Sequence, residues 1–367
     1  MQLTLTAKVK LLPTPEQSVF LLTTVRMIKQ ALNHTSRFSF EHRVVGPLAL
    51  HKHLYQAIRA VFGLRSQMTQ SVFKTVAAKY RLMKSNGVAG TLAVFKKPEY
   101  DLVWGRDYAL ANGQFSLNTL EGRVKVSFQP EGMERYFDGT WCFGTAKLVV
   151  KKGKFYLHIP MSKEVDETDW HRIRNIVGID VGINFLATSY DSAGKTVFVS
   201  GKQVKARRAH YANVRKSLQQ RQTPAARRRL KAIGNRENRW MSDVNHQLSK
   251  ALVKSAGKDS LLVLENLTGV RRKTEKVRLR DRYVSVSWAF GQLRRMIEYK
   301  AALYRCKVIA VDPAYTSRTC PKCLQSDKAN RIKSIHTFRC RECGYTTNDD
   351  RVAAMNLRQK GIEYLSK

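Results

Sequence analysis

Residues 319–354 read TCPKCLQSDKANRIKSIHTFRCRECGYTTNDDRVAA, and the rest of the chain is best interpreted from this stretch. It holds two Cys-x2-Cys pairs, Cys320 with Cys323 and Cys340 with Cys343, separated by sixteen residues. Four thiolates at this spacing are typical of a tetrahedral zinc site that leaves no open position for water. The stretch therefore predicts a zinc ribbon with one structural Zn²⁺ ion.

Three carboxylates stand where a charge is costly unless something binds it. Asp180 follows the apolar residues of IVGIDVGINFLAT, Glu265 ends LLVLE, and Asp350 opens a predicted helix whose Ala353 and Ala354 suit close packing on a sheet. Oxygen ligands favour Mg²⁺ or Mn²⁺, and three such acids can hold two ions about 4 Å apart for phosphodiester hydrolysis. Each acid alone is better explained as a salt-bridge partner or helix cap. Their combination favours a metal centre.

Glycines and other polar residues near these acids have simpler interpretations. Gly178 and Gly182 flank Asp180, and we expect them to leave room for a phosphate backbone. We interpret Asp312 as a loop cap, His336 as an exposed loop residue, and His246 as a hydrogen-bonded helix residue. Asp349 adjoins Asp350 and is the second choice for the third acid.

The charge of the chain predicts a polyanionic partner. Its 367 residues include 66 Lys and Arg against 28 Asp and Glu, a net charge of +38. Nucleic acid is favoured over an acidic membrane because no run of about 18 apolar residues occurs and the first residues resemble no signal peptide. Paired thiols in such a chain indicate a reducing compartment, so we expect a cytoplasmic protein. Cys142 and Cys306 are expected to be small buried residues.

Positive charge is concentrated in residues 202–240, which contain thirteen Lys and Arg and the single acid Glu237. Helical spacing predicts two helices here, divided at Pro224. A solvated helical face is the alternative, but so many like charges repel without a counter-ion. Tyr211, Trp240 and Trp288 are expected in the core. The predicted phosphate contacts, including those of a second basic loop at 271–282, are Arg207, Arg208, Arg227, Arg228, Arg229, Arg271, Arg272 and Lys273.

Changes of periodicity along the chain predict an α+β multidomain protein. Thr14, Pro15 and Gln17 form a helix start with a capping box, and residues 147–150 and 155–160 form a hairpin. The segments are a first barrel strand at 1–13, a helical insert at 14–90, the rest of a wedge-like β-barrel at 91–170, an α/β domain at 171–314, the zinc ribbon at 315–345, and a final acidic segment with its helix at 346–367.

The chain resembles the TnpB family, the transposon-encoded RNA-guided DNA endonucleases related to type V CRISPR effectors. The resemblance covers nearly the whole chain and includes KVKLLPTPEQ, GIDVGINFLATS, LLVLENLTG, VDPAYTSRTCPKC and CGYTTNDDRVAAMNL. It implies that residues 171–314 and 346–367 form a ribonuclease-H-like (RuvC) nuclease with the ribbon inserted. It also implies that Asp180, Glu265 and Asp350 are the catalytic acids and that Arg318 lies close to the scissile phosphate, where its alternative is a simple phosphate or ribbon contact.

The same resemblance implies a guide RNA from the transposon end and a double-stranded DNA target beside a short flanking motif. A guide-programmed repressor that no longer cuts is the first alternative, and a ribonuclease-H-like transposase is the second. The acid order Asp, Glu, Asp disfavours the transposase, whose usual order is Asp, Asp, Glu. A zinc-ribbon ribosomal or transcription protein would leave the strand acids unexplained. The oligomeric state stays open.

Overall fold

A computed structural model describes residues 1–267 and 290–366. The chain divides into two compact units, Gln2–Glu164 and Val165–Lys367, with Met1 joining the second. The predicted loop at 271–282 and Trp288 lie outside the described residues, and so do Arg271, Arg272 and Lys273.

The first unit contains an eight-stranded antiparallel sheet that nearly closes into a barrel. Along the sheet the strands lie in the order β2-β7-β8-β1-β5-β4-β3, and β6 pairs with β8; a bridge from Trp104 to Tyr108 adjoins its two ends. The predicted hairpin is confirmed as β7 and β8. The strands are β1 (Gln2–Leu12), β2 (Glu99–Leu102), β3 (Tyr108–Ala111), β4 (Gln114–Thr119), β5 (Gly122–Phe128), β6 (Cys142–Phe143), β7 (Ala146–Lys151) and β8 (Lys154–Glu164).

Helical structure follows β1, as the periodicity predicts, and it is divided into three helices: α1 (Pro15–His42), α2 (Pro47–Phe62) and α3 (Ser66–Ser85). The capping box is confirmed, since Thr14 accepts from the Gln17 amide and the Gln17 side chain accepts from the Thr14 amide. The helices bury apolar faces in one core with the barrel. Cys142 is exposed, so its predicted burial is wrong, because β6 is a two-residue strand off the main sheet.

The second unit is built on a five-stranded mixed sheet in the order β11-β10-β9-β12-β13. Its strands are β9 (Asn175–Asp180), β10 (Phe185–Tyr190), β11 (Thr196–Ser200), β12 (Ser260–Glu265) and β13 (Lys307–Val311). Further helices are α4 (Lys202–Arg221), α5 (Pro224–Ile233), α6 (Arg236–Ala256), α7 (Phe290–Leu303) and α8 (Asp349–Leu365). The division at Pro224 is confirmed, and a second break at Gly234 and Asn235 separates α5 from α6.

A three-stranded ribbon precedes α8, and the last residue of the ribbon is the N-cap of that helix. The strands are β14 (Arg331–Ile332), β15 (Thr337–Arg339) and β16 (Thr346–Asn348). Asn348 pairs with Thr337 across the ribbon, and its side chain accepts from the backbone N–H groups of Asp350 and Arg351. The end of the ribbon is therefore the start of α8.

Helix α8 lies directly on the central strand β9, and Gly178 makes this contact possible. A Cβ on Gly178 would lie 2.0 Å from the carbonyl oxygen of Ala354 and 2.5 Å from the amide nitrogen of Arg358. The space beside Gly178 is thus filled by helix backbone, so the expected room for a phosphate there is wrong. The small face predicted for Ala353 and Ala354 is confirmed, because both are buried.

Gly178→Ala is expected to destabilise the second unit by about 3 kcal/mol, the upper end of the usual cost of overpacking. The added methyl group would overlap backbone atoms of α8, which cannot rotate away as a side chain can. Gly361→Ala, on the helix that Gly178 contacts, is the control. Its Cβ would lie 2.6 Å from Cγ2 of Val263 and 2.9 Å from Cγ2 of Ile176, so side-chain methyls and not backbone must shift, and alanine favours the helix. Denaturant unfolding measures both, and an equal loss in the two variants would contradict this packing.

Candidate active site

Two of the predicted acids end neighbouring parallel strands. Strand β12 pairs with β9 in a register that sets Leu264 opposite Ile179, so Glu265 and Asp180 follow at the same edge of the sheet. Helix α8 packs on β9 through Gly178 and carries Asp350 in its first turn. The charges of Glu265 and Asp350 both act on Asp180. The structure therefore brings the three predicted acids together.

Burial and mutual repulsion make this acidic cluster unfavourable when it is fully ionised. Burial, followed by the charges of Glu265 and Asp350, raises the pKa of Asp180 well above its usual range. Burial also raises the pKa of Glu265 and that of Asp350, and the adjacent Asp349 raises the latter further. Divalent cations would remove this repulsion, so the oxygen donor set fits Mg²⁺ or Mn²⁺.

Two residues at this site, Thr316 and Arg331, were missed by sequence reasoning, and the neighbouring Asp349 was only the second choice for the third acid. Thr316 is buried and its hydroxyl donates to Oε1 of Glu265 at 2.7 Å. Arg331 donates from Nε to Oδ2 of Asp349 at 2.7 Å, and its charge acts on Asp180, Glu265 and Asp350 alike. Asp349 itself is fully buried. Their only sequence signal is proximity to the ribbon cysteines, which is too general to identify them.

His336 is a turn residue beside the acids, as predicted, and its side chain is 40% exposed because it contacts Asp349 and Asn184. Its Nδ1 is 3.6 Å from Oδ1 of Asp349, and its Nε2 is 2.6 Å from the side-chain nitrogen of Asn184. His336, Asp349 and Asp350 each place one ligand atom within 4.8 Å of the others. The ribbon thus contributes its own side chains to the edge of the acidic cluster.

The four cysteines converge as predicted. Their Sγ atoms lie within 4.8 Å of one another, with Cys320 and Cys343 at 3.6 Å and Cys323 and Cys340 at 3.5 Å. A tetrahedral Zn²⁺ with bonds of about 2.3 Å needs sulfur–sulfur edges of about 3.8 Å, so the donor set fits zinc.

The predicted phosphate contacts divide into exposed and buried residues. Arg207 is exposed over the ring of Trp240 at 4.6 Å, and residues 227–229 are exposed on α5, whose Ala226 faces inward. Arg208 is only 3% exposed and lies 3.5 Å from Glu237 in an ion pair. Arg208 is therefore a structural residue, and its assignment as a phosphate contact is wrong because its guanidinium is committed inside the unit.

The other residues named in the sequence analysis have the following environments. Arg318 is exposed, and its assignment near the scissile phosphate stays a prediction. Asp312 accepts from the Ala314 amide at 3.0 Å, which confirms its role as a loop cap, and His246 is hydrogen-bonded on α6. Cys306 is buried as predicted. Trp240 packs against the second unit's core, whereas Tyr211 is half-buried on α4.

Two family models match successive parts of the chain, from the end of β8 in the first unit through most of the second unit. Residues 158–268 match the family described as "Probable transposase", and residues 290–357 match the "Cas12f1-like, TNB domain". The CRISPR-associated endodeoxyribonuclease Cas12f1 of Syntrophomonas palmitatica is 25% identical over 77% of this chain and 59% of its own length. The Cas12f1 of Sulfoacidibacillus thermotolerans is 28% identical over 63% and 56%. The chain therefore spans less than two thirds of these two curated relatives.

A TnpB-like protein of Methanocaldococcus jannaschii is 26% identical over 65% of this chain and 84% of its own length. Among solved structures, a Cas12f1 complex with its guide RNA and target DNA has a TM-score of 0.62 at 15% identity, covering 93% of this chain and 82% of that one. The mini-RNA-guided endonuclease Cas_phi3 has a TM-score of 0.56 at 10% identity, covering 98% and 92%.

The chain thus has the mixed α/β fold class of the Cas12f and Cas_phi nucleases. Within that class, the resemblance to the TnpB family predicted from its motifs is confirmed by the family matches and the named relatives. Among the helices that the structure describes, none combines the length and apolar character needed to cross a bilayer.

Proposed function

We propose that this protein is an RNA-guided endonuclease that cleaves double-stranded DNA beside a short flanking motif. The observation that carries the proposal is the meeting of Asp180, Glu265 and Asp350 at one edge of the second unit's sheet. The relatives named as endonucleases, and the solved Cas12f1 complex with guide RNA and target DNA, support it. The guide would come from the transposon end, and the second unit would be a RuvC-like nuclease.

The residues of the centre would divide the work of phosphodiester hydrolysis. Two bound Mg²⁺ ions would supply an activated water and stabilise the leaving oxygen. Asp180, Glu265 and Asp350 would hold them, and the Thr316 hydroxyl fixes the orientation of the Glu265 carboxylate. The four cysteines would hold structural zinc outside the reaction.

Incubating the purified ribonucleoprotein with Mg²⁺ and a plasmid that carries the guide-matched target tests the proposal. Linearised plasmid is expected, and the same plasmid without the match should stay intact. A guide-programmed repressor would bind the matched plasmid and leave it uncut. Transfer of a transposon end into the plasmid would instead support the transposase.

The exposed arginines of α5 are expected to bind nucleic-acid phosphates. If residues 202–240 engage about eight phosphates, log K should fall with log salt at a slope of roughly −7. Replacing Arg227, Arg228 and Arg229 by Gln should make the slope shallower by about 3. Arg208→Gln is the control, because this buried residue should affect melting and leave the slope unchanged. Fluorescence anisotropy across salt concentrations measures both, and equal slopes in wild type and triple variant would contradict the assignment.

A further inference from the structure

Strand β13 forms an open edge of the second unit's sheet. It pairs with β12 on one side, and in the part of the chain that the structure describes no strand pairs with it on the other. All five of its residues are half-buried, whereas the first five residues of β12 are buried. The backbone N–H of Asn266 donates to the Val311 carbonyl at 2.8 Å, so Val311 faces β12. Because successive residues alternate, the main-chain groups of Val308 and Ala310 point away from the sheet.

A cavity of about 390 Å³, here called the edge groove, follows the first half of β13, at the end of the strand opposite the acidic cluster. Val308 and Ile309 both line it, and their side chains lie on opposite faces of the sheet, so the cavity lies at the strand edge. Its aromatic side chains are Trp170 and Tyr364, whose ring centres are 5.5 Å apart. Nζ of Lys307 lies 4.0 Å from the centre of the Trp170 ring, so this wall already holds an ammonium group.

A buried hydroxyl group of the edge groove lacks a hydrogen-bond partner. Thr168 lines the groove and is only 4% exposed, and its Oγ1 forms no hydrogen bond with any described residue. Buried polar groups are rarely left in this state, because an unmade hydrogen bond costs stability. A bound partner with a polar group at this position would remove that cost.

The edge groove is acidic in a strongly basic chain. Residues 164–169 contain four carboxylates and no Lys or Arg, although the net charge of the chain is +38. Asp166 and Glu167 line the groove, are exposed, and have no ion-pair partner among the described residues. Glu298 of α7 adds a third carboxylate, paired with Arg294 at 2.7 Å. Nucleic-acid phosphates would be repelled here, and so would the same groove of a second copy.

We propose that the edge groove binds an extended, Lys- or Arg-bearing segment of a partner protein, which adds to the five-stranded sheet as a sixth strand. In strand addition the main-chain groups of the edge supply affinity, and alternate side chains supply specificity. Basic side chains of the segment would meet Asp166 and Glu167, and its apolar side chains would cover β13. The site lies outside the acidic cluster, so this role is additional to the proposed function.

Selection from a phage-displayed library of random short peptides, with the whole chain as target, tests the proposal. Enriched peptides are expected to alternate Lys or Arg with β-branched or aromatic residues, the residues that favour strands. Non-specific attraction cannot produce this result, because a chain of charge +38 repels basic peptides. Enrichment of acidic peptides, or no enrichment above that obtained with Val308→Pro as target, would overturn the proposal.

A fluorescent copy of the most enriched peptide then measures affinity by anisotropy. Asp166→Lys combined with Glu167→Lys should weaken binding by at least about tenfold, because attraction becomes repulsion. Glu121→Lys combined with Glu131→Lys makes the same charge change at exposed acids of the first unit and should bind as wild type does. Val308→Pro removes an outward N–H that β12 does not use, so the sheet should persist while peptide binding weakens. Equal affinity in both charge variants would contradict the assignment.

Two further measurements distinguish strand addition from general attraction between charges. Thr168→Val removes the unpartnered hydroxyl, so the free protein should melt no lower than wild type while peptide binding becomes several-fold weaker. In hydrogen exchange, the peptide should protect the amides of Val308 and Ala310, whereas the amide of Ile309 should be protected before the peptide is added. Binding without this protection would overturn strand addition. Protection of the same amides by a DNA oligonucleotide, or by self-association of the chain, would overturn the protein partner.

Discussion

Asp180→Ala is expected to abolish DNA cleavage while guide-RNA binding stays at the wild-type level. Asp180 is the acid on which the charges of both other acids act, so its loss would remove a central ligand of the proposed metal centre. Losing metal-assisted hydrolysis should cost at least about 1,000-fold in rate, equivalent to about 4 kcal/mol of transition-state stabilisation. Single-turnover cleavage and RNA anisotropy measure the two properties separately.

Asp312→Ala is the matched control for this experiment. Asp312 follows β13 as Asp180 ends β9, but its side chain only caps a loop through the Ala314 amide. Its loss should leave cleavage at the wild-type rate. Cleavage by Asp180→Ala at a rate near that of wild type would refute the metal assignment.

Asp180 should also affect the stability of the protein when no divalent metal is bound. Because burial and the charges of Glu265 and Asp350 raise the pKa of Asp180 in the folded state, the folded state binds this proton more tightly than the unfolded state does. The stabilisation is therefore complete below the ordinary carboxyl pKa and is lost as pH rises through the raised one. Asp180→Asn has no carboxyl group to ionise, so it should not lose this stability. Its melting temperature should therefore exceed that of wild type increasingly as pH rises, and the difference should become smaller when Mg²⁺ is added. If the difference in melting temperature between Asp180→Asn and wild type did not change with pH, the proposed repulsion among these acids would be contradicted.

The sequence is sufficient to predict the parts of the site that follow from local pattern. Asp180 and Glu265 each end an apolar strand, and an acid at a strand end beside a parallel neighbour falls at the same edge of the sheet. Cys320 and Cys340 belong to pairs whose spacing specifies zinc ligation without further information. These features depend on a few adjacent residues, so they can be predicted from the sequence.

Other parts depend on long-range packing that no local pattern encodes. Arg208 and Arg207 are neighbours in a basic run, yet only α6, which carries Glu237, determines that one is buried and the other exposed. Gly178 was expected to make room for a phosphate backbone, whereas a helix that begins 171 residues later, at Asp349, occupies that space. Arg331 reaches Asp349 only because the ribbon folds back over the start of α8.

Cys320→Ser is expected to release the zinc and unfold the ribbon, and to abolish cleavage as a consequence. Zinc binding contributes about 10–16 kcal/mol to the folding of zinc-finger peptides, far more than any contact within this short three-stranded sheet. The acidic cluster depends on that sheet through Asn348, which pairs with Thr337 of β15 and caps the N–H groups of Asp350 and Arg351. Loss of the ribbon should therefore displace Asp350, although the cysteines never touch substrate.

Metal analysis and hydrogen exchange would separate this indirect effect from a catalytic one. Zinc should fall from one ion per chain to almost none in Cys320→Ser, with amide protection lost in the ribbon and the first turn of α8. Protection should persist in β9 and β12, which are paired independently of the ribbon. Cys142→Ser is the control, because this exposed thiol lies outside the zinc site. Retained zinc with an unprotected ribbon, or full cleavage without zinc, would show that the metal does not hold α8 in place.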